Sequence, residues 1–243
     1  VSLGLNGSKG VTDLTTERLE KLSYTTNTIL AADVKINGFN ALASTFNADL
    51  TAATTNTAGT YADAVNANTG VHGAEADAFN SLTSKAVGTF AMTGTVSINS
   101  NTVASASSYT DLVSKINESV SGVKADLNAD NTITLSNTDG ADIIVADGTG
   151  TAASIGLTVG TYSGMMSIKN LDGSGVTIEA GSVTNGYTAG TGVIADVASF
   201  GFNEFSTASQ LETNTVSGTA LSANEVKIND VLIGESLTGS ATH

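Results

Sequence analysis

Thr95-Val96-Ser97-Ile98-Asn99-Ser100 opens the stretch whose reading decides the fold. Val96 and Ile98 alternate with polar residues, the pattern of a half-buried strand, and a second short strand is expected around Thr102 to Ala104. Ser108-Tyr109-Thr110-Asp111 reads as a helix start, with Ser108 as cap and Asp111 three residues on. Leu112, Val113, Ile116 and Val120 fall on one helical face. Gly122 stands where a left-handed C-terminal cap belongs. Val123 to Leu127 alternates again, Asn128-Ala129-Asp130-Asn131 makes a turn, and Ile133 and Leu135 mark the next strand. Asn137-Thr138-Asp139-Gly140 then turns into Ile143-Ile144-Val145. Strand, helix and strand meander, with the helix on one sheet face, is an α+β arrangement.

The phrase recurs. Val34-Lys35-Ile36-Asn37-Gly38 precedes it and Val226-Lys227-Ile228-Asn229-Asp230 follows it. The helical part, Ile116-Asn117 with Gly122-Val123-Lys124-Ala125 after it, has an earlier echo in Val65-Asn66 and Gly73-Ala74-Glu75-Ala76. Tyr61, Asp63 and Val65 could instead match Tyr109, Asp111 and Val113, but the Gly and Ala that follow align better in the first register. Between Gly38 and Ala64 the first copy carries an insertion-like stretch rich in Ala, Thr and Asn, and the third copy stops before any helix. Thr134 to Val145 also resembles Ser167 to Ile178, and both read as hairpins around an Asp-Gly turn. Residues 12–23 read as a short polar helix or loop, and 146–162 and 180–195 as Gly- and Thr-rich connections. A repeated strand-and-helix unit points to a built element, not a catalytic centre.

The expected fold is α+β and β-rich overall. Small units of antiparallel meander, each with one short helix, pack as two to three subdomains. Residues 1–90 carry the first unit, which 161–243 could complete; 91–160 carry the second, as an inserted and outermost domain; 161–243 are β-rich and begin the third.

A hydrophobic content of 40% is ample for cores in a chain of 243 residues. A net charge of -14, with nine scattered Lys and Arg, argues against nucleic acid, which demands clustered cations, and would repel anionic membranes. No apolar run is long enough to span a bilayer, and Val1-Ser2-Leu3-Gly4-Leu5 lacks the pattern of a secretory signal. The start without Met reads as an excised piece of a longer protein. Cys is absent, which excludes disulfides and thiolate metal sites. Pro is absent too, so folding has no slow prolyl step, which suits a chain exported unfolded.

The search for chemistry gives an expectation of no enzyme, no cofactor and no metal. His72 has no second His at helical spacing and reads as a loop or surface residue; His243 is terminal. Asp126, Asn128 and Asp130 have the opening spacing of a calcium loop, but Asn131 replaces the required Gly and Asn137 the bidentate Glu, so a hairpin turn is expected. Gly148-Thr149-Gly150 is too short for a phosphate cradle. The pairs Glu17 and Glu20, and Asp139 and Asp142, read as solvated faces or turns. Asn6-Gly7-Ser8 and Asn117-Glu118-Ser119 fit the N-glycosylation pattern. Phe90, Tyr109, Phe200 and Phe202 read as core anchors.

The repeated phrases resemble the Ile-Asn ("IN") motif of bacterial flagellins. The residues that carry the resemblance are Ile36, Asn37 and Gly38; Val65 and Asn66; Ile98 and Asn99; Ile116, Asn117, Gly122, Val123 and Ala125; and Ile228 and Asn229. Ala198-Ser199-Phe200-Gly201-Phe202-Asn203-Glu204 is similar to a phrase often found before a further unit in large flagellins. The resemblance covers most of residues 34–233. It implies the variable outer region of a flagellin: extracellular, on the flagellar filament, exported by the flagellar apparatus, structural, and a carrier of surface and antigenic properties. Its partners would be other flagellin subunits, joined through terminal helices that residues 1–243 lack, with O-linked glycans on exposed loops; residues 1–243 alone are expected to be monomeric. A hook-associated protein, or an adhesin module for glycans, is the alternative.

Overall fold

A computed structural model describes residues 13–16, 26–49, 56–147, 150–182, 192–202, 227–228 and 231–232. The strands and helices run β1 (Asp13–Thr15), β2 (Thr26–Ile29), β3 (Val34–Ile36), β4 (Phe39–Asn40), β5 (Phe46–Asp49), α1 (Ala58–Asn66), α2 (Thr69–His72), β6 (Ala74–Thr83), β7 (Val96–Ile98), β8 (Asn101–Val103), α3 (Tyr109–Ser119), β9 (Lys124–Leu127), β10 (Ile133–Asn137), β11 (Ile143–Ala146), α4 (Thr151–Ser154), β12 (Gly160–Tyr162), β13 (Met165–Asn170), β14 (Ile178–Ala180), α5 (Ile194–Ala198), β15 (Lys227–Ile228) and β16 (Val231–Leu232). The fold is mixed α+β, with several antiparallel sheets and short helices in distinct subdomains.

Two cores form. One gathers Ile29, Ile36, Leu42, Tyr61 and Val65 from the early chain with Ile168, Ile178, Val197 and Phe200 from the late chain. The other is drawn from Met92 to Leu157 and centres on Ile98, Leu112, Ile116, Ile133, Leu135 and Ile143. The chain therefore leaves the first core, builds the second, and returns.

Strand pairing gives both units one plan. In the second, β10 lies between β9 and the end of β6, with Ala125 opposite Leu135 and Leu135 opposite Leu82. In the first, β13 lies between the start of β6 and β1, with Ala76 opposite Ile168 and Ile168 opposite Leu14. Ala76 thus matches Ala125, Ile168 matches Leu135, and Leu14 matches Leu82. The long strand β6 serves twice: Ala74 to Phe79 closes the first unit and Asn80 to Thr83 opens the second. A five-stranded sheet, β1-β13-β6-β10-β9, results. The second unit occupies the place that the turn between β9 and β10 holds within it.

Several sequence expectations change. The two Asp-Gly stretches are not hairpins: β10 pairs with β6 and β9, whereas β11 pairs with β7 and β12. Likewise β13 pairs with β1 and β6, and β14 with β3. Each Asp-Gly is a corner where the chain steps between sheets. Its left-handed Gly (Gly140 φ 67°, Gly173 φ 75°) reverses the chain, while side chains rather than a ladder hold the bend. Asn137 Nδ2 donates to the Ala141 carbonyl and Asn170 Nδ2 to the Gly175 carbonyl, and the two strands that flank each corner do not pair with each other. Of the stretch 12–23, residues 13–15 form a strand rather than helix or loop, because Thr16 and β13 pin them, and residues 12 and 17–23 lie outside the described residues. The stretch 146–162 holds α4 and β12, and 180–195 begins at the end of β14 and reaches α5; the Gly-rich composition hid these short elements. The insertion-like stretch of the first copy contains β4, β5 and the start of α1, whose buried face is Ala58, Tyr61, Ala62 and Val65.

The helix start at Ser108 forms as the spacing predicts. Ser108 Oγ accepts from the Asp111 N–H at 3.1 Å, and Asp111 Oδ2 accepts from the Ser107 N–H at 2.8 Å. The Ser107 N–H, and then the Lys115 ammonium, hold the Asp111 carboxyl below its usual range. Gly122 is left-handed at φ 77°, two residues past the cap position Val120.

Candidate functional site: the asparagine clasps

The residues that repeat most strictly are polar, and their side chains account for the repetition. Asn37 and Gly38 (φ 54° and 82°) join β3 to β4; Asn99 and Ser100 (φ 48° and 64°) join β7 to β8. Ile36 faces Phe39 and Ile98 faces Asn101, so each connection has two residues, both left-handed, the type I′ hairpin. Asn enters this region more readily than most side chains. In the third copy Ile228 faces Val231, the same spacing; Asn229 lies outside the described residues.

Each Asn then grips the next strand. The Asn37 N–H donates to the Thr177 carbonyl at 2.9 Å, and Asn37 Oδ1 accepts from the Thr177 N–H at 3.1 Å. The Asn99 N–H donates to the Ile144 carbonyl at 2.9 Å, and Asn99 Oδ1 accepts from the Ile144 N–H at 2.7 Å. The side chain continues the ladder past the end of the strand, satisfying edge groups that would otherwise need water.

A second clasp ties the helix to the following strand. Asn66 Nδ2 donates to the Ala76 carbonyl at 2.8 Å and Asn66 Oδ1 accepts from the Ala76 N–H at 2.7 Å. Asn117 does the same to Ala125, at 3.0 and 2.7 Å. These bonds align Val65-Asn66 with Ile116-Asn117, and Gly73 (φ 73°) with Gly122. Asn117 is engaged through both amide atoms, so the N-glycosylation pattern there falls on a structural side chain.

A third clasp escapes the sequence reading. Thr16 Oγ1 accepts from the Met166 N–H at 2.8 Å while the Thr16 N–H donates to the Met166 carbonyl. Ser84 Oγ accepts from the Ile133 N–H at 2.9 Å while the Ser84 N–H donates to the Ile133 carbonyl. Both hydroxyl residues are buried. The available signal was Asp13-Leu14-Thr15-Thr16 against Ser81-Leu82-Thr83-Ser84. A closing segment repeats as well. Ala152-Ala153-Ser154-Ile155-Gly156-Leu157 matches Val197-Ala198-Ser199-Phe200-Gly201-Phe202, with left-handed Gly at φ 81° and 79°. The Phe-Gly-Phe phrase therefore closes a unit as well as preceding the next.

The units differ at one corner. Two extra residues in the first copy make α2 and place His72 where the second has Ser121. His72 is buried, a correction to the surface reading: its ring is enclosed between the Val65 carbonyl and the Ala74 N–H. Asn37 Nδ2 donates to the His72 carbonyl and to Asn170 Oδ1, at 2.8 and 2.6 Å. An open cleft of about 530 Å³ lies there, lined by Asn37, His72, Asn170, Asp172 and Thr177 among others. Its amides already have partners.

The remaining candidates are turns and pairs. Thr132 donates to Asp130 Oδ1 through its hydroxyl and then its backbone N–H, which lowers the Asp130 pKa; Asn128 Nδ2 donates to Thr132 and Thr134; Asp126 pairs with Lys124 at 2.9 Å. That arrangement is a side-chain-laced turn, with Asn131 at φ 61°. Asp139 Oδ1 accepts from the Ala141 N–H, and burial raises the Asp142 carboxyl. Lys35 and Glu179 are cross-strand neighbours and both buried. Glu17, Glu20 and His243 lie outside the described residues, as do Gly148 and Thr149. Among the described residues no three His, Cys, Asp or Glu gather as a metal site, and no helix is long and apolar enough to cross a membrane.

Set against known protein families and curated proteins, the chain matches none.

Proposed function

We propose that residues 1–243 are the surface-exposed outer region of a bacterial flagellin, a structural part that sets the filament's surface and antigenic properties. The observation that carries this reading is the repeated Ile-Asn hairpin: two copies share one set of clasps, and the third repeats the hairpin spacing. Asn37, Asn66, Asn99 and Asn117 of the motif are clasp residues and Ile36, Val65, Ile98 and Ile116 are core residues, so the resemblance rests on positions with a physical task. Acidic, low-charge composition and the lack of Cys and Pro accord with export as an unfolded chain.

Such units would decorate the filament while helices elsewhere in the full-length subunit build its core. The test is deletion of residues 34–233 from the full-length polypeptide. Filaments should still assemble; loss of assembly would contradict a peripheral role.

A further inference from the structure

We propose that His72 is a proton-sensitive latch that ties the first Ile-Asn clasp, and not the second, to pH. The ring is held in one tautomer. Nε2–H donates to the Val65 carbonyl at 3.1 Å, and Nδ1 accepts from the Ala74 N–H at 3.2 Å. A second proton would set a donor at Nδ1 against the Ala74 N–H. The ring would then have to leave its pocket, or the start of β6 shift.

Two clasps meet at this point. The His72 carbonyl accepts from Asn37 Nδ2, whose Oδ1 holds the Thr177 N–H. Ala74 begins the strand that Asn66 grips two residues later, at Ala76. Displacing α2 therefore loosens both. The second unit has Ser121 at the matching position and nothing that titrates there. Burial lowers the His72 pKa from the usual 6.5, against the smaller opposing pull of the Val65 and Ala41 carbonyls. The unfolded chain then binds the proton more readily, so the stability is complete above about pH 6.5 and falls as pH drops from there toward the folded value.

Among the described residues, the charged groups on the elements packed near the ring are already engaged or point outward. Asp172 lines the same cleft, its carboxylate engaged by the Ser174 N–H and hydroxyl. Lys169 pairs with Asp77 and Glu75 on the sheet. Lys35 on β3 is buried opposite Glu179, and Asp63 on α1 is exposed.

The test compares amide protection factors by NMR between about pH 7.5 and about pH 5. Protection at Ala74, Ala76 and Thr177 should fall severalfold, because the folded state loses stability as the unfolded chain takes up the proton, while Ala125 and Ile144 hold. His72→Gln should remove the difference between the units. Equal loss in both units would overturn the latch, as would pH dependence that survives His72→Gln. The wild-type comparison decides the matter even where the variant folds poorly: His72 titrating by ring NMR with no change at Ala74 and Thr177 also overturns it.

Discussion

Asn66 and Asn117 occupy one position in two units, each holding both backbone groups of an alanine on the next strand, Ala76 and Ala125. Two bonds of this kind contribute about 1 kcal/mol each, and removing the side chain strands the alanine's groups. Asn117→Ala should cost roughly 1–3 kcal/mol in urea unfolding. Asn117→Asp keeps the acceptor for the Ala125 N–H but loses the donor, and should fall between wild type and Ala. The measurement is the shift in midpoint at unchanged slope.

Ser100 holds φ 64° where the first copy has Gly38 at φ 82°. A serine pays for left-handed backbone that glycine enters freely. Ser100→Gly should stabilise the second unit by about 0.5–1 kcal/mol, read as a higher thermal midpoint. Asn99→Gly keeps the turn but loses the grip on the Ile144 N–H, and should destabilise despite the easier backbone.

Val65 and Ile116 are the matched core residues of the two helices. A void of about 10 Å³ lies beside Val65, bounded by Ile36, Ile168, Phe200 and Phe202. Val65→Ile should be tolerated within about 1.5 kcal/mol either way, because the added methyl meets spare room in a tight core. Ile116→Ala, at a site with no exposure, should cost about 2–5 kcal/mol. Calorimetry on both variants checks the contrast.

The register match between Ala76–Ile168 and Ala125–Leu135 predicts that the second unit can be cut out. Replacing residues 79–165 by the turn Asn128-Ala129-Asp130-Asn131-Thr132 should leave a chain that folds around the first core. It should unfold in one cooperative transition. Loss of β structure by circular dichroism would mean that the first core depends on the second. The excision removes Gly140, which packs so closely on the first unit that an added Cβ would come within 2.8 Å of the Cβ atoms of Ala78 and Ala58.

The second unit was the more legible one because its signals agree: alternation at Val96 and Ile98, a real cap at Ser108, and an apolar helical face through Leu112 and Ile116. The Asp-Gly corners look like hairpins in sequence because left-handed glycine serves a hairpin and a step between sheets alike. Alternation tells which face a residue takes, not which strand it meets. Asp13 to Thr15 is too short for any period to show, and its place is fixed by Thr16 gripping Met166, 150 residues away. His72 looked like a surface residue because nothing local marks it; the Val65 and Ala74 backbone groups that enclose it come together only when α1, α2 and β6 fold. The Ile and Asn of the motif were visible as a pattern, but what Asn does depends on Thr177 and Ile144, which the sequence places far away.

The most direct test of a filament-surface role is immunogold electron microscopy, with antibodies against residues 1–243, on intact flagellated cells that produce the full-length protein. Continuous labelling along the whole filament is the expected result. Label confined to the hook junction or the filament tip, or spread over the cell body with bare filaments, would contradict it.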